Sequence, residues 1–141
     1  MAFVALDVGD VRIGLAFNQG ELVLPKEVFQ NTEPGLVALT EDLTRLKPEV
    51  VYVGLPLSLS GGHTASTSKA IEFARKIQNL GFTVRLVDER MTTRGAQAKL
   101  TAAGKSTRDS RSIIDSVAAM AILELALANP QIGLALEDLD A

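Results

Sequence analysis

Three carboxylates stand at the edges of apolar elements. Asp7 ends the run that begins at Phe3, Glu89 follows the run Thr83 to Val87, and Asp115 lies within the alanine-rich stretch IIDSVAAMAIL, residues 113–123. An ionised carboxylate in apolar surroundings is costly without compensation. Three brought together need a counter-charge, and a hard divalent cation with oxygen ligands supplies it. Each acid also has a local explanation. Asp7 can accept turn hydrogen bonds or pair with Arg12, Asp88 and Glu89 can be strand-end solvation, and Ser112-Ile-Ile-Asp115 matches a capping box ahead of an apolar run. The coincidence of three acids in one topology favours the cation.

The elements that must carry these acids can be read from periodicity. Residues 2–8 and 12–18 read as strands joined by a Gly9-Asp10 corner, and Leu22 to Phe29 as a third strand. Alternation places Ala5, Asp7 and Gly9 on one face, so the carboxylate has small neighbours and space beside it. Asn31-Thr32 and Pro34 open a helix with Leu36, Leu39, Leu43 and Leu46 at helical spacing, ended by Pro48. Val50 to Gly54 is a continuous apolar run, the pattern of a strand buried on both faces. The loop GLPLSLSGGHTAS leads to a helix with the stripe Ile71, Ala74, Ile77 and Leu80, closed by Gly81. Thr83 to Val87 is the fifth strand, with Glu89 on the face of Arg85 and Val87 and Asp88 on the other.

Thr92 or Thr93 caps a helix to about Ala103, stopped by Gly104, and a last helix runs from about Ser112 to Ala128. The acidic tail, about 130–141, reads as frayed or as a short helix. The order β-β-β-α-β-α-β-α-α predicts an α/β fold: a five-stranded mixed sheet with helices on both faces, one domain spanning 1–141.

Composition narrows the class. The 141 residues are 47% hydrophobic and 22% charged, ordinary for a globular domain, and cysteine is absent, which excludes disulfides and thiolate metal sites. No apolar run approaches membrane-spanning length and no signal-peptide pattern opens the chain, so a soluble cytoplasmic protein with no membrane partner is expected. The net charge of −3 hides an asymmetry. From Arg85 to Arg111, seven basic residues face three acidic ones, a local +4 that leaves −7 for the rest. Such a region can bind phosphates.

Taken together, D-V-G-D-V-R-I-G-L-A (7–16), V-G-L-P (53–56), V-D-E-R-M-T-T (87–93) and I-D-S-V-A-A (114–119) resemble the YqgF/RuvX family. That family is related to the RuvC Holliday-junction resolvases within the ribonuclease H-like superfamily. The resemblance implies an RNase H-like fold and a metal-dependent nuclease using Mg²⁺ or Mn²⁺. Its substrates are nucleic acids: the 5′ end of pre-16S ribosomal RNA, or alternatively branched DNA cut as by a Holliday junction resolvase. It maps the catalytic, metal-binding acids onto Asp7, Glu89 and Asp115, with Asp88 alongside, and phosphate contacts onto Arg12, Arg90 and Thr92. The basic residues Arg94, Lys99, Lys105, Arg108 and Arg111 extend this to flanking phosphates, where contacts carry little sequence information. Junction cutting would call for a homodimer that places two active centres, whereas end trimming needs only one.

Two departures stand out. Many RNase H-like nucleases place an acid at the end of the fourth strand, where this chain reads Gly54-Leu55-Pro56, so metal binding must lean on Glu89. The following loop has Ser60-Gly61-Gly62 where relatives often carry Asp-Gly. That Gly pair reads either as a backbone approach to phosphate or as a plain flexible loop, and His63 as a surface loop residue. With aromatic residues at 4%, recognition by an aromatic stacking platform is not expected. Two other classes compete: an actin-like or sugar-kinase ATPase, which needs a second domain this chain lacks, and a catalytically inactive nucleic-acid-binding module.

Overall fold

The first two strands, Phe3–Val8 (β1) and Arg12–Gln19 (β2), pair antiparallel with Asp7 opposite Gly14 and Val8 opposite Ile13. The corner between them is tight. The Gly9 N–H donates to the Arg12 carbonyl at 2.8 Å, and a Cβ on Gly9 would fall 2.9 Å from that oxygen. Asn31 braces the corner from outside. Its Nδ2 donates to the Gly9 carbonyl and its backbone N–H to the Val11 carbonyl, both at 2.8 Å. In this computed structural model the described residues are 1–92 and 107–140, with the side chains of 91, 107–116, 139 and 140 outside the description.

The third expected strand is divided. Leu22–Pro25 (β3) and Phe29–Gln30 (β4) each pair antiparallel with β2, giving six strands among the described residues rather than the five expected. The Lys26 N–H still donates to the Leu15 carbonyl at 2.8 Å beyond Pro25, and pairing with β2 resumes at Phe29. Glu33–Leu46 (α1) begins at the Thr32 cap, whose hydroxyl accepts from the Gly35 N–H at 3.2 Å. It ends at Lys47, in the left-handed conformation at φ 49°. Asp42, buried on α1, is neutralised by Lys26 at 3.2 Å and by Arg45.

Val50–Leu55 (β5) runs parallel to β1, and Val84–Asp88 (β6) runs parallel to β5, so the sheet order is β3-β2-β1-β5-β6 with β4 beside β2. Ala65–Asn79 (α2) joins them, started by a reciprocal Thr64–Thr67 capping box. A single 3-10 turn, Glu89–Met91, follows β6, and Thr107–Ala128 forms α3. The helix expected between Thr92 and Ala103 falls almost wholly outside the described residues.

Two apolar layers sandwich the sheet. On one face Val4, Leu6, Val51, Val53 and Leu86 pack beneath Leu39 and Leu43 of α1 and Phe73 and Ile77 of α2. On the other, Ala5, Ala16, Tyr52 and Val87 meet Ala119, Ile122, Leu123 and Ala126 of α3. Small residues on both sides of this second layer let α3 lie close to the strands. Among the described residues, no helix is long and apolar enough to cross a membrane.

Three expectations change in detail. Leu80 leaves the α2 stripe, which Thr67, Ala70, Phe73, Ala74 and Ile77 form instead; it sits at the C-cap and is half exposed. The tail takes the short-helix alternative, Leu136–Asp140. Before that helix, Leu134 exchanges two 2.8 Å backbone hydrogen bonds with Leu86, and Arg85 Nη2 donates to the Gly133 carbonyl at 2.7 Å. Finally, α3 begins five residues before Ser112, so Ser112 lies inside a helix and the capping-box reading of Asp115 falls.

Candidate active site

Asp7 is the penultimate residue of β1, and its neighbours across the sheet are glycines. Gly14 pairs with it from β2. On the other side Leu6 pairs with Val53, which brings Gly54 beside Asp7, one strand spacing of about 4.8 Å away. Half-buried Asp7 is therefore flanked in the sheet by two residues that have no side chain of their own. Gly14 and Gly54 thus join Ala5 and Gly9 as small residues near Asp7.

Glu89 occupies the place over Gly54. Its side chain folds back from the turn after β6 so that a Cβ built on Gly54 would clash with its carboxylate, falling 2.9 Å from Cδ. The same Cβ would fall 2.7 Å from Ile122 Cδ1 of α3. The turn that aims Glu89 is fixed from both ends. Asp88 caps it, accepting the Arg90 N–H at 2.9 Å, and the Thr92 hydroxyl and N–H both donate to the Glu89 carbonyl at 2.9 Å.

Asp115 belongs to α3, one turn before Ala119 and two before Ile122 on the stripe that faces the sheet. Its backbone position thus shares the face of Asp7 and Glu89, while its side chain lies outside the description. Among the described residues, no three His, Cys, Asp or Glu side chains are gathered to hold a metal. The donor set that is described, two carboxylates beside Gly54, has the oxygen chemistry that Mg²⁺ or Mn²⁺ takes.

Residues 1–129 match the family model described as "RuvX: Holliday junction resolvase". The chain belongs to the RuvX family. A relative from Leifsonia xyli is 40% identical over 129 residues, covering 88% of this chain and 83% of its own length. One from Clavibacter michiganensis is 42% identical over 130 residues, covering 88% and 81%. Both carry the name "Putative pre-16S rRNA nuclease". Among solved structures, Thermus thermophilus RuvC in complex with a Holliday junction substrate superposes with a TM-score of 0.59 at 15% identity, covering 95% of this chain and 99% of that one. A Fowlpox virus resolvase complex gives 0.50 at 18% identity, covering 99% of both. These two likenesses fix the RNase H-like fold of this RuvX chain.

Within that fold, several residues take positions other than those expected of them. Both Asp88 oxygens are engaged by Arg90, with Nη2 at 2.6 Å and Nε at 3.0 Å. This guanidinium holds the Asp88 carboxyl below the usual carboxylate range, with a further contribution from the Arg90 N–H. Asp88 is thus a turn cap and ion-pair partner rather than a carboxylate aimed at Gly54. Thr92, expected to touch phosphate, is buried at 6% exposure and committed to the Glu89 carbonyl. Arg90 is exposed and also donates through Nη1 to the Leu59 carbonyl at 3.3 Å.

Arg12 opens β2 on the face of Gly14 and Asp7, next to the corner. Arg94, Lys99 and Lys105 lie outside the described residues; Arg108 and Arg111 fall in the first two turns of α3, their side chains outside the description. His63 pairs through its backbone with Leu57 at the base of the loop after β5. The place where the sequence offers Gly54 instead of an acid is the place that the Glu89 carboxylate covers. An isolated glycine in a strand otherwise rich in β-branched residues was the available signal of a close approach.

Proposed function

We propose that this RuvX-family chain is a divalent-metal-dependent nuclease that hydrolyses phosphodiester bonds in the 5′-end processing of pre-16S rRNA in the cytoplasm. The observation that carries the reading is the Glu89 carboxylate laid over Gly54, beside Asp7. The names of the relatives from Leifsonia and Clavibacter support the substrate.

Asp7 and Glu89 would hold Mg²⁺ or Mn²⁺, with Asp115 from α3 as the third carboxylate. A divalent cation, when bound, offsets charge on the phosphate and lowers the pKa of water. Gly14 and Gly54 put no side chain of their own beside Asp7, which leaves the place over Gly54 to the Glu89 carboxylate. Thr92 and Asp88 hold the Glu89 turn at its two ends, and Ile122 packs beside Gly54. Arg12, on the same face, and the basic residues Arg94, Lys99, Lys105, Arg108 and Arg111 would bind the flanking backbone. Such contacts make affinity fall with salt.

The family model's description supports a second substrate, a four-way DNA junction. Cutting it symmetrically would need two copies of the site, hence a homodimer. Side-by-side cleavage of a precursor 16S rRNA 5′ end and a four-way DNA junction, with Mg²⁺ or Mn²⁺, decides between the two. Asp7→Asn and Glu89→Gln should each lower the rate at least ~100-fold, the scale of removing one electrostatic group from a preorganised site. If both variants stay folded and cut at the wild-type rate, the assignment is wrong.

A further inference from the structure

The loop between β5 and α2 has an unusual construction for a surface connection. Leu57 and His63 pair across its base, and the Ser58 N–H donates to the Gly62 carbonyl at 3.0 Å. Above that pair, the Gly61 N–H donates to the Ser58 carbonyl at 2.8 Å and the Gly62 N–H to Ser58 Oγ at 2.9 Å, with Gly61 at φ 89°. The Pro56 carbonyl accepts from the fully buried Thr67 hydroxyl, which anchors the stem to α2. This miniature hairpin is internally closed, and its tip residue, Leu59, is 96% exposed.

The tip is also tied to the acidic site. Arg90, next to Glu89, holds the Leu59 carbonyl through Nη1 while Asp88 fixes the rest of the guanidinium. Gly61 lies against the same guanidinium: a Cβ there would fall 3.3 Å from Nη1. One arginine therefore sets the tip relative to the turn that aims Glu89. Leucine at the tip gains nothing from water. A closed hairpin cannot fold it back onto the core.

We infer that Leu59 is an apolar wedge that packs against the nucleobases beside the scissile phosphate, with Arg90 as the positioning residue that fixes its distance from the acids. The inference rests on the nuclease reading above. Bases present apolar faces, and aliphatic side chains that enter a base stack unstack neighbouring bases. No aromatic side chain competes for this role: Tyr52, Phe29 and Phe73 are buried, and Phe3, Phe17 and Phe82 pack against the two cores.

The test uses the full chain carrying Asp7→Asn, so that the probe survives, and two probes: a precursor rRNA 5′ end and a four-way DNA junction. Each carries 2-aminopurine beside the cleavage position mapped with the wild-type chain. The Leu59-bearing chain should raise 2-aminopurine fluorescence on binding. Leu59→Ser should abolish the rise and weaken binding about tenfold, the scale of losing one base contact. Leu59→Met should retain both, and all variants should melt together, because an exposed side chain stabilises little. In cleavage by the otherwise wild-type chain, Leu59→Ser should raise KM with kcat nearly unchanged. If Leu59→Ser binds, unstacks and cleaves like the wild type, the wedge is overturned and the nuclease reading stands. If the wild-type chain neither binds nor cleaves either probe, the nuclease reading fails and the wedge with it. The probe that responds identifies which nucleic acid the loop meets.

Discussion

Glu89 rests over Gly54, its carboxylate filling the space where any other residue at that strand position would place its Cβ. The end of β5 thus receives a carboxylate from the turn after the neighbouring strand, on the face of the sheet that carries Asp7.

Gly54→Ala therefore tests the site without touching an acid. The methyl group must displace Glu89 or Ile122, and overpacking of this kind costs about 1–3 kcal/mol. The expected outcome is a folded protein with a modestly lower Tm and cleavage reduced at least ~10-fold, the size of a ~1 Å misplacement of a reacting group. Thermal stabilisation by Mn²⁺ should shrink in parallel. Equal cleavage by Gly54→Ala and the wild type would separate Glu89 from the chemistry.

Arg90 is expected to govern the order of the loop. Arg90→Lys keeps the charge but loses the planar fork that spans the two Asp88 oxygens and the Leu59 carbonyl. Amide hydrogen exchange at Gly61 and Gly62 should quicken, with β5 and β6 unaffected. Unchanged exchange at those amides would show that the hairpin holds itself.

The tail should behave as a structural part of the fold. Leu136 is 2% exposed and packs in the layer of α1 and α2, so Leu136→Ala should cost about 2–5 kcal/mol in urea unfolding. Ending the chain at Asn129 also strips Leu134 from β6 and takes the carbonyls of Ile132 and Gly133 from Arg85. A bare β6 edge invites pairing with another chain, so this truncation should self-associate in size-exclusion chromatography. A monomer of wild-type stability would refute both expectations.

What the sequence made legible follows from how local each signal is. Asp7 and Glu89 stand out as candidates because a carboxylate beside an apolar run is conspicuous, and α1 is legible because Thr32, Pro34 and Pro48 punctuate it. The strands near the site were placed almost to the residue by their apolar runs. Other features depended on contacts distant in sequence. Asp88 and Thr92 are site candidates by sequence, while their hydrogen bonds go to the turn that carries Glu89, and no local pattern reveals which oxygen faces which way. The split of the third strand depends on where β2 can pair. The seal over β6 joins residues 47 and 48 positions apart, through Arg85. Asp115 stands between these cases: its apolar, alanine-rich run is legible in the sequence, and the start of its helix at Thr107 required the backbone.

Tyr52 supplies a pH dependence with a definite sign. Burial raises its phenol above the usual value of 10.0, against a smaller opposing effect from Arg85. The folded state thus keeps its proton where the unfolded chain releases it. Stability from this residue is fully present below about pH 10 and is lost as pH rises from there through the raised folded value. Tyr52→Phe removes the ionisable group while keeping the ring that meets Phe3 at 6.3 Å between centroids. Between pH 9 and 11 the wild type should lose more stability than Tyr52→Phe, as measured by urea unfolding at each pH. Below pH 9 the difference between the two should be constant. Parallel curves across the whole range would mean that the phenol titrates alike in the folded and unfolded chain, contrary to its burial beneath α3.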